Sequence, residues 1–438
     1  MTRLQRGDEI VDAWVEDTEQ GIQMYTREGS GPVVAVTMKS FHIPREYMQF
    51  LTDRLHAGWH RVRDPAREVD VDDEPREPTL EAALAADPGD VTTALVYADW
   101  YQQHDHPRGD LIAVQCARAA SPDDPVLRAR EAELFASWHA HLLGPIDHPG
   151  GQYELRLELA WEHGFVRAAR LDGRDRRGVP EQLLWELLRH PSARFLRELV
   201  IGCHDYGDQD NRLMTDLLLH AGPTPPLRTL ILADFDDTRS DDIDISRAPL
   251  GDLTGLGDRY PMLEDVILKG RGDCELGGLA LPHARRFAFR TSSLTRITLA
   301  RVIAADWPAL EELELWFGNT EYGGDCTAAD VAPLVARGMP KLRVLRLMNT
   351  LFSDDLCELI ATSPRAATLA TLDFSLGTLS DDGAAVLAAR RAAFANLTAL
   401  HVNECCLTSQ GLARLRAAGF PVADTNRQKD RRYVSVSE

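Results

Sequence analysis

No stretch of this 438-residue chain approaches the 18 or so consecutive apolar residues that a membrane-spanning helix needs. The opening Met1-Thr-Arg-Leu-Gln-Arg-Gly-Asp leads into no long apolar run, so neither a signal peptide nor a membrane anchor is expected. Cysteine is sparse: seven residues, at 116, 203, 274, 326, 357, 405 and 406, with no C-x-x-C pair. That excludes a disulfide framework and zinc-binding spacing, and it fits a reducing compartment; a cytoplasmic protein is expected. The usual catalytic signatures are missing too. There is no G-x-S-x-G, no glycine-rich phosphate loop before a lysine, and no H-E-x-x-H. Cys203-His204-Asp205 is contiguous, and chain neighbours point different ways, so it is no triad. The expectation is a non-enzymatic protein with no cofactor and no resident metal.

Positive charge is in deficit, with 48 Lys and Arg against 68 Asp and Glu, a formal charge of −20. Such a surface stays soluble and argues against bulk binding to nucleic acid or to anionic membrane. It leaves an ordinary acidic exterior or attraction to a basic protein partner.

What is present is a repeat. Leu342-Arg-Val-Leu345-Arg-Leu347, Leu369-Ala-Thr-Leu372-Asp-Phe374 and Leu397-Thr-Ala-Leu400-His-Val402 each open a unit of about 28 residues. Each is followed by a turn and a capped helix. Earlier strands of the same form start at Leu196, Leu227, Leu263, Ala284 and Leu310, at less regular intervals. Leu294 to Leu299 also fits the strand template, but Ile297, Arg301 and Ala304 continue at helical spacing, which predicts a helix. An L-x-x-L-x-L strand, turn and helix in series is the signature of a leucine-rich-repeat solenoid. Its fold class is α/β, with a parallel sheet on the concave side and helices on the convex side. Caps are expected at Thr327, Ser353, Ser380 and Thr408, so the aspartates beside them serve helix termini rather than catalysis. The stretches Leu313–Phe317, Leu372–Gly383 and Arg432–Glu438 together resemble a bacterial family of leucine-rich-repeat proteins of unassigned function, which implies a binding scaffold.

Ahead of the repeats, alternation over residues 8–40 predicts a small sheet, and Tyr47, Met48, Leu51 and Leu55 predict one helix ending at Gly58. With Tyr25-Thr-Arg27-Glu-Gly29 after a strand and Gly58-Trp59 closing the helix, residues 1–65 resemble the WGR domain. Tyr25 and Thr26 stand where that family has Trp and Gly, and Arg27 matches. The resemblance implies an alternative function as a nucleic-acid-responsive regulator, for which Arg27, Lys39 and Trp59 are the candidate residues. Residues 66–78 are charged and proline-bearing with little to bury, and read as a linker.

Residues 79–145 are expected to be helical. Leu95-Val-Tyr97-Ala-Asp99-Trp100 followed by Pro107-Arg108-Gly109-Asp110-Leu111-Ile112 closely resembles the short bacterial repeat-companion module. Asp99 and Asp110 are read as capping or pairing with Arg108, and His104 and His106 as a solvated loop, since two alternate histidines without a third ligand make a poor metal site. A further amphipathic helix is expected over 125–143. A hairpin is expected to cap the array, which spans 150–423, and the tail 424–438 could close it with a strand from Tyr433 to Val436. The acidic loop Asp234–Asp244 matches a calcium loop in charge only.

If the leucines point inward, the intervening residues form a concave face. Its middle row reads Val200, Ile231, Ile267, Ala288, Glu314, Arg346, Asp373, His401, and an adjoining row includes Trp316 and Met348. The second half of the middle row alternates in sign and could pair with itself, while the first half is apolar and fits a partner. The candidate partner-binding residues are Ile231, Ile267, Glu312, Glu314, Trp316, Arg346, Met348, Asp373 and His401, with Trp316 as the anchor. The function expected is a scaffold that binds a protein, basic or of mixed charge, on that face.

Overall fold

In the computed structural model the residues described are 2–6, 8–18, 21–28, 34–36, 50, 53–54, 60–62, 74–146, 156–172, 179–202, 210–221, 224–234, 245–423 and 433–436. They fall into two compact units, 1–207 with 216–227, and 208–215 with 228–438.

The first unit begins with an antiparallel sheet of β1 (Thr2–Arg6), β2 (Glu9–Thr18), β3 (Gly21–Glu28), β4 (Val34–Val36) and β5 (His60–Val62), in the order β4-β3-β2-β1-β5. The alternating stretches predicted β2 to β4; the short outer pair β1 and β5 escaped notice because three to five residues carry too little periodicity. The helix expected near residues 47–58 lies largely outside the described residues.

Four helices follow, Pro78–Ala86, Val91–Gln103, Arg108–Ala120 and Pro125–Ser137. Three begin where a carboxylate accepts a free N–H: Glu77 from Leu80, Asp90 from Thr92, Asp124 from Val126. Tyr97, Tyr101, Leu84 and Ile112 form their core with Phe165, while Trp100 packs at its margin. The amphipathic helix expected over 125–143 is present as Pro125–Ser137 and a short helix His139–Leu142, interrupted at residue 138. The chain turns at Trp138, which is exposed, and only Leu134 and Leu142 of the expected stripe are buried.

The hairpin predicted at Glu162-His-Gly is formed by β6 (Arg156–Glu162) and β7 (Phe165–Asp172). His163 and Gly164 both take positive φ, 49° and 77°, the backbone that a two-residue hairpin turn requires. β7 then pairs in parallel with β8 (Glu198–Ile201).

The second unit carries β9 (Thr229–Leu232), β10 (Asp265–Lys269), β11 (Arg286–Arg290), β12 (Glu312–Gly318), β13 (Val344–Thr350), β14 (Thr371–Asp373) and β15 (Ala399–His401). Every neighbouring pair is parallel and consecutive in the chain. Register is one to one, so Leu230, Val266, Phe287, Leu313, Leu345, Leu372 and Leu400 stand in a single row, each 0% exposed. The predicted helix after Leu294 is present as Arg296–Ala304, capped by Thr295. The fold is thus mixed α/β with a mostly parallel sheet.

Helices Ser353–Ala361, Asp381–Ala389 and Ser409–Ala417 show what the aspartate pairs do. Ser380 and Thr408 are N-caps as expected, and Thr327 with Asp330 forms a capping box. Ser353 is not a cap: it lies inside the first turn, fully buried, donating to the Thr350 carbonyl and accepting from the Thr378 N–H. Asp354 reaches forward one repeat to accept from both the N–H and the hydroxyl of Ser380, at 2.8 and 2.7 Å. Asp381 does the same for Thr408, at 2.9 and 2.6 Å. Each aspartate therefore holds the cap of the following helix in place.

This contact explains two glycines. A Cβ on Gly383 would stand 2.4 Å from Asp354 Oδ1, and one on Gly411 2.1 Å from Asp381 Oδ1. We expect Asp381→Ala and Gly411→Ala each to destabilise the protein by about 1–2 kcal/mol. In the Asp381→Ala background, Gly411→Ala should become neutral or stabilising, because the clash is gone and alanine favours a helix by up to about 1 kcal/mol. Additive losses in a double-mutant cycle of denaturation midpoints would refute the coupling.

The segment Tyr433–Val436 forms no strand, against expectation. Val422 instead makes a single parallel bridge to Leu400 beside β15.

Candidate functional site

Residues that alternate with the buried leucines of β12 and β13 project from the opposite face of those strands. There Glu314 accepts from Arg290 at 2.7 Å and from the Trp316 indole at 3.0 Å, and Arg286 lies 3.6 Å away. Arg286 also reaches Glu312 at 3.5 Å and Asp265 at 4.0 Å. Arg346 bridges Glu312 at 3.0 Å and Asp373 at 2.9 Å. The result is a continuous ladder across β10 to β14. Burial pushes the Asp265 carboxyl up, with Arg286 opposing. Burial works against the Arg346 charge, but its bonds to Glu312 and Asp373 prevail and hold its pKa above the usual range. Glu314 and Asp373 are each only 4% exposed, so the arginines are their necessary counter-ions. Four acids to three arginines leave one formal negative charge.

The alternating row was legible, but its arginines were not fully assigned. Arg286 and Arg290 flank Ala288 two residues either side on β11 and share its face, and their reach brings them to the acids of β12. Two expectations need correction. Ile267 is not exposed apolar surface; it is 6% exposed, and Ala288 beside it is 0%. On a central strand, side chains of both neighbours stand about 5 Å away and cover a medium-sized residue. Trp316 is not freely exposed either. It is half-buried, its ring 5.9 Å from the Arg290 guanidinium, in register with half-buried Met348. Ile231 and His401 are also half-buried, His401 opposite Asp373. The structure therefore assembles Glu312, Glu314, Trp316, Arg346, Met348 and Asp373 on one face, with Ile231 and His401 farther along it.

Arg27 lies on β3 in the first unit, half-buried, with Asp12 opposite it in register; Lys39 and Trp59 lie outside the described residues.

A second cluster, in the first unit, was not foreseen. Arg108, completely buried, forks onto Glu74 at 2.7 and 2.6 Å rather than pairing with Asp110, which bonds Gln102 instead. Glu74 also accepts from Tyr101 at 2.6 Å and faces Arg194 at 3.1 Å. Arg194 joins Glu81, which binds Arg76 and Tyr97. So the end of the charged stretch read as a linker is core: Glu74 is 4% exposed. His106 is no solvated loop residue, since its Nε2 lies 2.8 Å from that of His141. Burial pushes His106 down to about 4 and His190 to about 3, Glu74 opposing and Arg108 adding to the shift.

Glu74, His106 and His141 bring ligand atoms close enough for a metal ion. The electrostatics disfavour it. Both carboxylate oxygens are already engaged, and a divalent cation would enter beside two guanidinium groups. What the cluster does chemically is neutralise a buried charge and cross-link residue 74, the helices and the segment around Ser192, which Arg108 also reaches at 3.1 Å. Tyr97, His106 and Arg108 stood in or beside a recognisable motif, but nothing in the sequence joined them to Glu74, one acid among many.

No family model matches the chain, and no curated protein matches it. A crystal structure of a Bacteroides fragilis protein, solved as a structural-genomics target, is similar to it with a TM-score of 0.52 and 14% sequence identity, covering 100% of each chain. At that identity the likeness is one of fold, and it accords with a mixed α/β chain built on a mostly parallel sheet.

Proposed function

We propose that the second unit is a leucine-rich-repeat array and that the chain is a non-enzymatic scaffold of the bacterial cytoplasm. It engages a protein partner through the strand face bearing Glu312, Glu314, Trp316, Arg346 and Met348. The observation that carries this reading is Trp316 standing in register with Met348 on a row of charges that neutralise one another. Aromatic, methionine and arginine side chains are the residue types enriched where protein surfaces meet. Charges already paired within the face cost little further desolvation, and the one surplus acid favours a partner with a basic or mixed contact surface. The WGR-like and repeat-companion modules of the first unit would supply a second contact.

The test is affinity capture from the source cells, followed by titration of the identified partner against purified variants. Trp316→Ala and Met348→Ala should each weaken binding at least about tenfold. Met348→Ala should not shift the melting temperature materially, because its side chain is half-buried and outside the leucine core. Trp316→Ala removes one donor from Glu314 and should cost about 1 kcal/mol of stability, too little to unfold the chain. Unchanged affinity in both variants would remove this face from the function.

A further inference from the structure

Asn319 and Glu321 after β12, Asn349 near the end of β13 and Leu376 after β14 form a ledge separate from the strand face, and the short segment Tyr433–Val436 lies along it. The Asn349 side chain donates to the Val436 carbonyl at 2.6 Å and accepts from the Val436 N–H at 2.9 Å. The Ser435 N–H donates to the Leu376 carbonyl at 2.8 Å. Asn349, at the end of β13, and Leu376, in the turn after β14, both have positive φ, 52° and 65°, and this local backbone sets these groups. The Tyr433 hydroxyl accepts from Asn319 Nδ2 and donates to Glu321, both at 2.9 Å. Val434 is 4% exposed.

Three of these contacts address main-chain groups and would serve any extended peptide. Two address side chains: a phenol held between an amide and a carboxylate, and a buried valine. Asn349 is 0% exposed and spends both halves of its amide on one residue of the segment. Any segment that replaced this one would have to offer the same main-chain donor and acceptor to Asn349, because occupancy of the ledge shuts water out of that amide. Its own segment is an imperfect one, because the Ser435 hydroxyl is buried without a hydrogen-bond partner.

We propose that this ledge is a peptide-docking site, filled in cis by Tyr433–Val436. In trans it takes an extended segment of a partner protein with the pattern Tyr-Val-small-Val, the small residue being apolar. Docking would occur by exchange, the partner's segment displacing the chain's own. It does not depend on the strand face, so Trp316→Ala should leave it unchanged.

The probe is a labelled decapeptide with the sequence of residues 429–438 carrying Ser435→Ala, titrated by fluorescence anisotropy into the full chain. The wild type should bind it weakly, because the tethered segment competes at a high effective concentration. The full-length Tyr433→Ala/Val434→Asp variant, whose own segment is released, should bind at least tenfold more tightly. A peptide with Tyr433→Ala, or a protein with Asn349→Asp, should lose at least tenfold from that tighter value. Equal binding by wild type and released variant, or indifference to the tyrosine, overturns the proposal. A second measurement needs no variant: excess peptide should accelerate hydrogen exchange at the Ser435 and Val436 amides of the wild-type chain. Peptide bound with those amides still protected would place it elsewhere and also overturn the proposal. Dimerisation of the released variant's parent at micromolar concentration, with the segments swapped between copies, would replace the partner protein by self-exchange.

Discussion

Arg108→Ala is expected to destabilise the first unit by about 3–5 kcal/mol, the range for breaking a buried ion pair from one side. The side chain is 0% exposed and makes both bonds of a fork to Glu74, one to Ser192 Oγ at 3.1 Å and one to the Gly164 carbonyl. Truncation leaves a cavity the size of a guanidinium and a buried carboxylate whose remaining guanidinium partner among the described residues is Arg194. Burial works to raise the Glu74 carboxyl, and Arg108, His141 and Arg194 together outweigh it, holding it well below the usual carboxylate range. Losing the first of these would reverse much of that balance.

For a unit of this size the loss corresponds to a fall of roughly 6–20 °C in its melting transition. The double variant Glu74→Gln/Arg108→Met should lose less than Arg108→Ala alone, because it removes the stranded charge while keeping most of the volume. Calorimetry of the three proteins decides this. A loss under about 1 kcal/mol for Arg108→Ala would mean the network is not the anchor described here.

The second large effect is on acid stability. His106 and His190 have ordinary values of 6.5 but are pushed to about 4 and about 3 in the folded chain, chiefly by burial and then by the fields of Arg108, Arg194 and His141. Below pH 6.5 the unfolded chain takes up protons that the folded chain refuses, so folding is opposed increasingly as pH falls. Full stability should hold above pH 6.5 and drain away between 6.5 and about 3–4. Glu74 adds to the loss below its ordinary value of 4.5, where the unfolded chain again binds the proton first.

His106 contributes on the order of 3 kcal/mol and His190 on the order of 5 kcal/mol before solvent screening, which reduces the share of half-buried His106 more than that of His190. The charged groups facing the pair are Glu74, Arg108 and Arg194, with the titratable His141 beside them, and of these only Glu74 would favour protonation. Urea titrations from pH 8 to pH 4 should show a steep fall, flattened in a His106→Gln/His190→Asn variant. Asparagine is chosen at 190 because His190 Nδ1 accepts from the Ser192 N–H, and an amide oxygen can do the same. An equal slope in the variant would assign the acid sensitivity elsewhere.

Much of the second unit could be read directly from the chain. Period-two alternation within each L-x-x-L-x-L stretch, and the recurrence of such stretches, evenly spaced only in the last three, determine strands, their order and their inward row, because a one-residue slip would turn every leucine outward. The helix after Leu294 was legible from spacing, and the caps at Ser380 and Thr408 from residue type. These are local signals, and local rules suffice for them.

Long-range partners belong to the tertiary structure alone. A glutamate at 74 looks like any acid in a charged stretch until the fold brings Arg108, Tyr101 and Arg194 around it. Glycine at 383 or 411 looks like a weak helix residue until the preceding repeat's aspartate needs the space of a Cβ. Whether Ile267 or Trp316 is open to solvent depends on side chains from neighbouring strands, which alternation assigns to a face but does not measure for reach. The seating of Tyr433–Val436 on turns more than fifty residues earlier is of the same kind. Sequence determined what repeats, since periodicity is a property of the chain; only the folded chain decided which charges are buried and which partners satisfy them, since both depend on residues distant in sequence arriving at one place.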